Sequence, residues 1–223
     1  MRTDSRPIGR KRNPIIEAAR RDQIIEAAVQ VVGAIGYARA SLARIAEQAG
    51  VSKSVISYHF TSKEELLEQV VTQIYSDIWG FIEPRILAEE TAAGKVRAFI
   101  SSELEYLRDH RAHLLAVGSV VTNHRNEDGD LHFAAESNDA VVSMLADILR
   151  QGQLDGEFRE FDPTVMAISI NQALDGALAQ FARDPGVDLD AYAAELVALF
   201  AAATAGQDPQ TRRHDASNQD ERS

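Results

Sequence analysis

Residues 41–67 read SLARIAEQAGVSKSVISYHFTSKEELL, and this stretch predicts three short helices in close succession. Each helix follows a serine, at Ser41, Ser52 and Ser62. A serine hydroxyl at that position accepts a hydrogen bond from a backbone N–H in the first helical turn. Glu65 stands three residues after Ser62, which is the spacing of a capping box. The pattern therefore sets three helix starts from local sequence alone.

The first two of these helices are joined by the tight turn Gly50-Val51-Ser52. Glycine adopts the positive φ of a helix end at low cost, so Gly50 is expected to end the first helix. Ala46 is small enough for the two helices to cross closely. Two helices joined in this way form a helix-turn-helix, whose second helix can enter the major groove of DNA.

With this motif the chain resembles the tetracycline-repressor-like (TetR) family of transcriptional regulators over residues 20–67. The resemblance rests on Ile24, Ala27, Ala28, Gly36, Tyr37, Ile45, Ala46, Ala49, Gly50, Val51, Ser52, Tyr58, His59, Phe60, Lys63, Leu66 and Leu67. It implies an all-α fold: an N-terminal three-helix head with the helix-turn-helix, and a larger C-terminal helical domain for ligand binding and dimerisation. Beyond residue 67 it rests only on length and helical pattern.

Two positions depart from the family pattern. Ser54 stands where glycine is common, and Ser57 stands where a tyrosine usually touches the DNA backbone. The neighbouring Tyr58 either takes over that phosphate contact or turns toward the protein.

The start of the second motif helix supplies the expected contacts to base edges. These candidates are Lys53, Ser54 and Val55, together with Arg44 on the preceding helix. Lysine and arginine donate to guanine, and valine can touch a thymine methyl group. The expected phosphate contacts are Ser41, Ser52, Tyr58, His59 and Lys63. For His59 the alternative is a packed histidine, and for Lys63 it is a solvated residue at a helix start.

Charge is distributed unevenly along the chain. The net charge is -11, yet residues 1–63 hold 11 Lys+Arg against 5 Asp+Glu, while residues 64–223 hold 12 against 29. A basic head on an acidic body suits a protein that meets phosphates with one end only.

The sequence divides into four segments. Residues 1–19 form a basic arm, in which Pro14 argues against a long helix; the arm either lies along DNA or only aids solubility. Residues 20–66 form the DNA-binding domain and 67–205 the helical domain, with 206–223 as a polar, disordered tail. The first expected helix spans about Arg20 to Ile35. The three helices described above follow, and the third continues past Ile78 to a break or kink at Pro84. The remaining helices are expected at about 94–109, 110–122, 131–151, 163–183 and 189–204.

Composition excludes several classes of protein. The 223 residues include no cysteine, which rules out disulfides and thiolate metal sites. No apolar run approaches the ~18 residues that span a membrane. The N-terminus lacks a signal peptide's apolar core, so we expect a cytoplasmic protein. No phosphate-binding glycine loop, nucleophile elbow or HExxH motif is present, so we predict no enzymatic activity and no cofactor. The carboxylates Glu103 and Glu105 are interpreted as a solvated helix face.

The C-terminal helices carry large apolar side chains and a few polar groups, a mixture typical of small-molecule sites. The candidate pocket residues are Trp79, Phe99, Tyr106, His113, Val117, Phe133, Met144, Met166, Asn171 and Asp175. The alternative for each of them is ordinary core or interface packing. His110 and His113 are spaced for a metal pair but lack a clear carboxylate partner, so we predict no metal site.

The last two helices are rich in small residues, which let helices approach closely. We expect them to form a homodimer interface, as the resemblance implies, rather than to pack only within one subunit. The candidate interface residues are Ala173, Ala177, Leu196, Ala198, Phe200 and Ala201.

The sequence thus favours a transcriptional regulator, expected to be a repressor that a small molecule releases from a palindromic DNA operator. The alternative is a DNA-bound structural or partner-binding factor without an effector. A closed apolar cavity would favour the first, and a filled core with an exposed patch would favour the second.

Overall fold

The computed structural model describes residues 14–126, 128–133 and 136–206, with the side chains of 136–138 left aside. The described residues form nine α-helices, and the prediction of an all-α fold is confirmed. They are α1 (Pro14–Ile35), α2 (Leu42–Ala49), α3 (Lys53–His59), α4 (Lys63–Leu87), α5 (Ala92–Asp109), α6 (Arg111–Val121), α7 (Glu136–Leu154), α8 (Pro163–Arg183) and α9 (Leu189–Thr204). None of these helices is both long and apolar enough to cross a membrane.

Helix α1 begins at Pro14 rather than near Arg20. Proline is well suited to the first position of a helix, because its fixed φ is helical and the N–H that it lacks would have no partner there. The expectation that Pro14 belongs to a non-helical arm was therefore wrong. The rest of the proposed arm, residues 1–13, and the tail beyond 206 lie outside the described residues.

Helix α4 passes through Pro84 and continues to Leu87, so the predicted break is absent. A proline inside a helix removes one backbone hydrogen bond and crowds the preceding turn. The carbonyl that loses its helical donor is that of Gly80, and the guanidinium of Arg85 donates to the neighbouring carbonyl oxygen of Phe81 at 2.6 Å. Only one turn follows the proline, so the disturbance is confined to the helix end.

Two apolar cores meet along α4. Residues from Leu66 to Ile74 pack with α1, α2 and α3, whereas Ile82 and Ile86 pack with the body helices α5 to α9. Ile78 touches both cores. Helix α4 is thus shared by the head and the body, as its length predicted.

Helix α6 also belongs to both parts of the molecule, which the sequence did not indicate. Its residues Ala116 and Val120 are completely buried in the head core. Helix α1 crosses α6 so closely that a Cβ built on Gly33 would lie 2.9 Å from the carbonyl oxygen of Ala112. The head therefore rests directly on α6, and a shift of α6 has a direct route to the DNA-binding helices.

Candidate nucleic-acid interface and effector cavity

The capping pattern of the helix-turn-helix holds at two of its three serines. Ser41 Oγ accepts from the backbone N–H of Arg44 at 3.4 Å, and Ser62 Oγ accepts from that of Glu65 at 3.0 Å. Ser52 precedes α3 but makes no such bond, because its hydroxyl lies 2.8 Å from the hydroxyl of Ser54. The predicted side-chain cap at α3 is therefore replaced by a serine–serine contact.

The capping box at α4 is shifted by one residue. The Glu65 carboxylate accepts from the backbone N–H of Thr61 at 2.7 Å and from its hydroxyl at 2.6 Å, not from the N–H of Ser62. These two bonds hold the pKa of Glu65 below its usual value. The arrangement fixes the turn between α3 and α4, and thereby the orientation of α3 relative to α4.

Gly50 ends α2 with φ of 64°, in the left-handed region that favours glycine. Its N–H and that of Val51 bond back to the carbonyl oxygens of Glu47 and Ala46, at 3.1 and 2.9 Å. This closed helix end turns the chain into α3 within three residues, as the sequence predicted.

The proposed base-reading residues are on α2 and at the start of α3, and three of the four are exposed. Arg44, Lys53 and Ser54 are exposed, while Val55 is half-buried against the head core. Behind them Ile45 and Ile56 are completely buried and hold α2 and α3 in place. A rigid pair of helices with cations on its outer side is suited to inspecting DNA base edges.

Tyr58 projects from α3, with 52% of its surface exposed. Its hydroxyl donates to the Glu17 carboxylate of α1 at 3.3 Å, and its ring contacts the edge of the His59 ring. His59 is half-buried, and its backbone carbonyl accepts from the Arg21 guanidinium at 2.9 Å. Tyr58 thus turns toward α1 while much of its ring stays accessible.

Lys63 is half-buried and is bonded within the protein. Its ammonium donates to the backbone carbonyl of Tyr37 at 2.8 Å and lies 4.4 Å from the centre of the Tyr37 ring. Burial lowers the pKa of Lys63 below its usual value. The side chain therefore joins the start of α4 to the turn between α1 and α2, in addition to any contact with phosphate.

A cavity of about 910 Å³ lies in the body between α4, α5, α6, α7 and α8. Its walls are mostly apolar, as ligand sites generally are. Of the candidate pocket residues, the structure brings together Trp79, Phe99, Val117, Met144, Asn171 and Asp175 at this cavity.

The other four candidates lie elsewhere. Tyr106 is buried, and its hydroxyl is 3.0 Å from Nδ1 of His113. His113 faces a separate cleft of about 340 Å³ between α1, α4 and α6, where burial lowers its pKa. Phe133 packs against the head core and Met166 against the body core. Helical spacing placed these residues on apolar faces but could not say which faces meet at the cavity.

Glu103 lines the cavity, which corrects its assignment to a solvated helix face. Burial, and then the negative charge of Asp175, raise the pKa of Glu103 to about 7. Burial also raises the pKa of Asp175. Asn171 is 6% exposed, and its amide Nδ2 has no hydrogen-bond partner among the described residues. The wall of the apolar cavity thus carries the carboxyl groups of the half-buried Glu103 and the exposed Asp175, together with the unsatisfied N–H donor of Asn171.

The candidate dimer residues divide between the core and the surface. Ala177, Leu196 and Phe200 are buried within one protomer, so they do not face a partner, contrary to expectation. Ala198 and Ala201 are exposed, while Ala173 is half-buried. Helices α8 and α9 carry apolar residues on more than one face. For this reason the sequence pattern did not distinguish the face that packs inside the protomer from the face that is exposed.

The outer faces of α8 and α9 carry large apolar side chains that the sequence analysis did not single out. Val165 and Ile168 on α8 are 60% and 46% exposed, and Leu199 on α9 is 58% exposed. Such residues beside small ones form an apolar surface that a partner can cover.

Tyr37 connects the head to a wall of the cavity. Its backbone N–H donates to Ser119 Oγ at 2.8 Å, and Ser119 on α6 lines the cavity. Through its carbonyl, Tyr37 also holds Lys63 of α4. A ligand that moves α6 therefore acts on a residue bonded to the turn before α2.

Comparison with known proteins agrees with this arrangement. Residues 24–70 match the family model described as bacterial regulatory proteins, tetR family. The chain is 34% identical over 91 residues to the HTH-type transcriptional regulator BetI 1 of Chromohalobacter salexigens, an alignment covering 40% of this chain and 45% of that protein. It is 29% identical over 142 residues to the fatty acid metabolism regulator protein of Bacillus subtilis, covering 62% and 70%. The aligned part thus spans less than half the length of BetI 1.

Solved structures share the whole fold. The fatty acid degradation regulator FadR from Bacillus halodurans superposes with a TM-score of 0.71 at 23% identity, over 86% of this chain and 96% of that one. At this identity the likeness establishes the fold alone. The helix-turn-helix and its match to the family model place residues 24–70 in the tetR family of bacterial regulatory proteins, and the described chain shares its fold with the FadR structure.

Proposed function

We propose that the protein is a dimeric repressor that binds a near-palindromic DNA operator and is released from it by a small molecule. The observation that carries this proposal is the cavity in the body, whose α6 wall is also part of the head core. An effector cavity joined to a DNA-binding head is the arrangement that a ligand-responsive regulator needs. A structural factor without an effector would have no use for a cavity of this size.

Arg44, Lys53, Ser54 and Val55 are proposed to read base edges, since Arg44, Lys53 and Ser54 are exposed on the two motif helices and Val55 is only half-buried beside them. Ser41, Ser52, Tyr58, His59 and Lys63 are proposed to contact phosphates around them. Selection from a random duplex library tests this, with bound sequences expected to contain two half-sites about one helical turn, roughly 34 Å, apart or a little more. Enrichment of no common sequence would contradict the proposal.

The dimer is proposed to form through the outer faces of α8 and α9, where Val165, Ile168 and Leu199 are exposed beside Ala198 and Ala201. Two-fold pairing of these faces makes a four-helix interface and places two heads on one side of the assembly. Sedimentation at micromolar concentration is expected to show a dimer, and a monomer at that concentration would refute this interface.

The effector is proposed to be an apolar molecule with a hydrogen-bond-donating or cationic end. The apolar walls bury its body, while Glu103 and Asp175 accept hydrogen bonds and Asn171 donates one. An anionic end would lie beside two carboxyl groups and oppose their ionisation. Dodecylamine, dodecanol and dodecanoate form a matched series, because they share the chain and differ in the end group.

Release from DNA requires the effector to prefer one setting of α4 and α6 over another. The energy available is only the difference between its affinities for the two settings, so a tenfold loss of DNA affinity needs about 1.4 kcal/mol. The same factor must appear in reverse, with operator DNA weakening the ligand tenfold.

Calorimetric titration of the dodecyl series, with and without operator, measures both effects. We expect dodecylamine to bind more tightly than dodecanoate, and to bind less tightly when operator is present. Equal binding of dodecylamine with and without operator would show that this compound is not an effector.

A further inference from the structure

Three side chains with metal-binding atoms converge beside the junction of the head and the body. They are Glu68 on α4 and His124 and His132 in the connection between α6 and α7, and their ligand atoms all lie within 4.8 Å of one another. Oε1 of Glu68 is 3.0 Å from Nε2 of His124 and 3.9 Å from Nε2 of His132. In a tetrahedral site with bonds of about 2.1 Å, ligand atoms stand about 3.4 Å apart. The two distances from Glu68 bracket that value.

The surroundings of His124 suit a metal ligand. The residue is 2% exposed, and its second ring nitrogen, Nδ1, is 3.1 Å from the hydroxyl of Tyr37. Metal-binding histidines nearly always donate their other N–H to a fixed partner, which sets the tautomer and the ring orientation. When Nδ1–H donates to the Tyr37 oxygen, Nε2 carries the lone pair that an ion requires.

Access to the site is provided by His132. Its side chain is 40% exposed, so its ring can turn toward an ion entering from solvent, and water can take a remaining coordination position. The ring of Phe133 packs against the edge of the His132 ring and shields one side of the site. A simple hydrogen bond between His124 and Glu68 would explain their separation, but it would leave the approach of His132 to the same oxygen unexplained.

We propose that Glu68, His124 and His132 bind one transition-metal ion in each protomer. Two imidazoles and one carboxylate suit Zn²⁺ and, with other coordination numbers, Co²⁺ or Ni²⁺. The prediction of no metal site rested on the His110 and His113 pair. Glu68 is distant in sequence from the two histidines that it meets.

The bound ion would tie three parts of the molecule together. Glu68 belongs to α4, the two histidines belong to the connection after α6, and Tyr37 belongs to the turn between α1 and α2. The ion would therefore hold the head against the body in the setting described here. Metal binding at this place does not depend on the proposed effector or on DNA.

The test is calorimetric titration of the metal-free, untagged, full-length protein with Zn²⁺, together with the absorption spectrum of the Co²⁺ complex. We expect one ion per protomer in the wild type. His132→Ala and Glu68→Gln should each lower the affinity by at least tenfold, and Tyr37→Phe should lower it about tenfold by removing the partner of Nδ1. His110→Ala is the matched control, since His110 is exposed and lies outside this site, and should leave the affinity unchanged.

Wild-type affinity in both His132→Ala and Glu68→Gln would overturn the proposal, as would a wild type that binds no ion. The exposed His132 is the main variant because replacing the buried His124 removes a side chain from a packed position. Circular dichroism of each variant establishes that it is folded before titration, so a loss of affinity reports the lost ligand.

Discussion

Replacing Glu103 by glutamine tests whether the cavity holds a carboxyl group that is costly to ionise. Burial and the charge of Asp175 raise the pKa of Glu103 from 4.5 to about 7. Between these values the unfolded chain releases a proton that the folded protein retains. The protonated carboxyl group of Glu103 therefore contributes its full share to the free energy of unfolding below pH 4.5. This contribution is lost as the pH rises through about 7.

The magnitude follows from the difference in pKa. A difference of about 2.5 corresponds to about 3.4 kcal/mol, of which about 2 kcal/mol falls between about pH 5.5 and about pH 8.5. Glutamine has nearly the same shape and stays neutral, so it removes this dependence. Relative to the wild type, the free energy of unfolding of Glu103→Gln should therefore rise by about 2 kcal/mol across that interval.

Urea unfolding followed by circular dichroism, at one protomer concentration because dimerisation contributes to stability, measures the difference. Asp175→Asn should give an intermediate result, because it removes the second cause of the raised pKa. Glu83→Gln is the control, since Glu83 is exposed on α4 and does not line the cavity. If Glu103→Gln and the wild type differ by the same amount at both pH values, the carboxyl group is not buried as described.

Four further substitutions test the other parts of the proposed mechanism. Leu199→Glu places a charge on the apolar outer face of α9 and should shift the sedimentation of the protein toward monomer while leaving its helix content unchanged. Lys53→Ala should reduce discrimination between operator and mutated operator by about 1–3 kcal/mol. Lys63→Ala should instead weaken binding to all duplexes alike and reduce the slope of log affinity against log salt concentration by about one. Equal losses for the two lysines in anisotropy titrations would contradict a base-reading role for Lys53. Gly33→Ala should force α1 away from the Ala112 carbonyl and lower the melting temperature. It should also change the factor by which the effector and the operator weaken each other's binding. An unchanged factor would show that α6 does not carry the coupling.

Much of the head could be predicted from sequence because the signals that define it are local. Serine caps and a glycine helix end act over three or four residues, so Ser41, Gly50 and Ser62 marked helix boundaries correctly. The helix expected from about residue 163 is also observed, since α8 begins at Pro163 and the Asp162 carboxylate accepts from two backbone N–H groups. The same local reasoning failed at Pro14, because proline is favoured at the first position of a helix, and it predicted a break or kink at Pro84, where the helix continues for one more turn.

The site in the body could be predicted only in part. Trp79, Phe99 and Met144 were recognised by their size on amphipathic helices. Glu103 was missed, since a glutamate beside other charged residues is most often solvated, and only the approach of α8 makes it costly to ionise.

The sequence by itself determined the family resemblance of the head, the helical class, the helix-turn-helix and the basic head on an acidic body, because residue type and short-range spacing decide these properties. Tertiary structure decided what distant residues do together. It brought Glu103 to Asn171 and Asp175, placed Glu68 beside two histidines, and made α6 part of both the head core and the cavity wall. The physical reason is that an amphipathic pattern specifies that a face is buried, whereas the residues it is buried against depend on how whole helices pack.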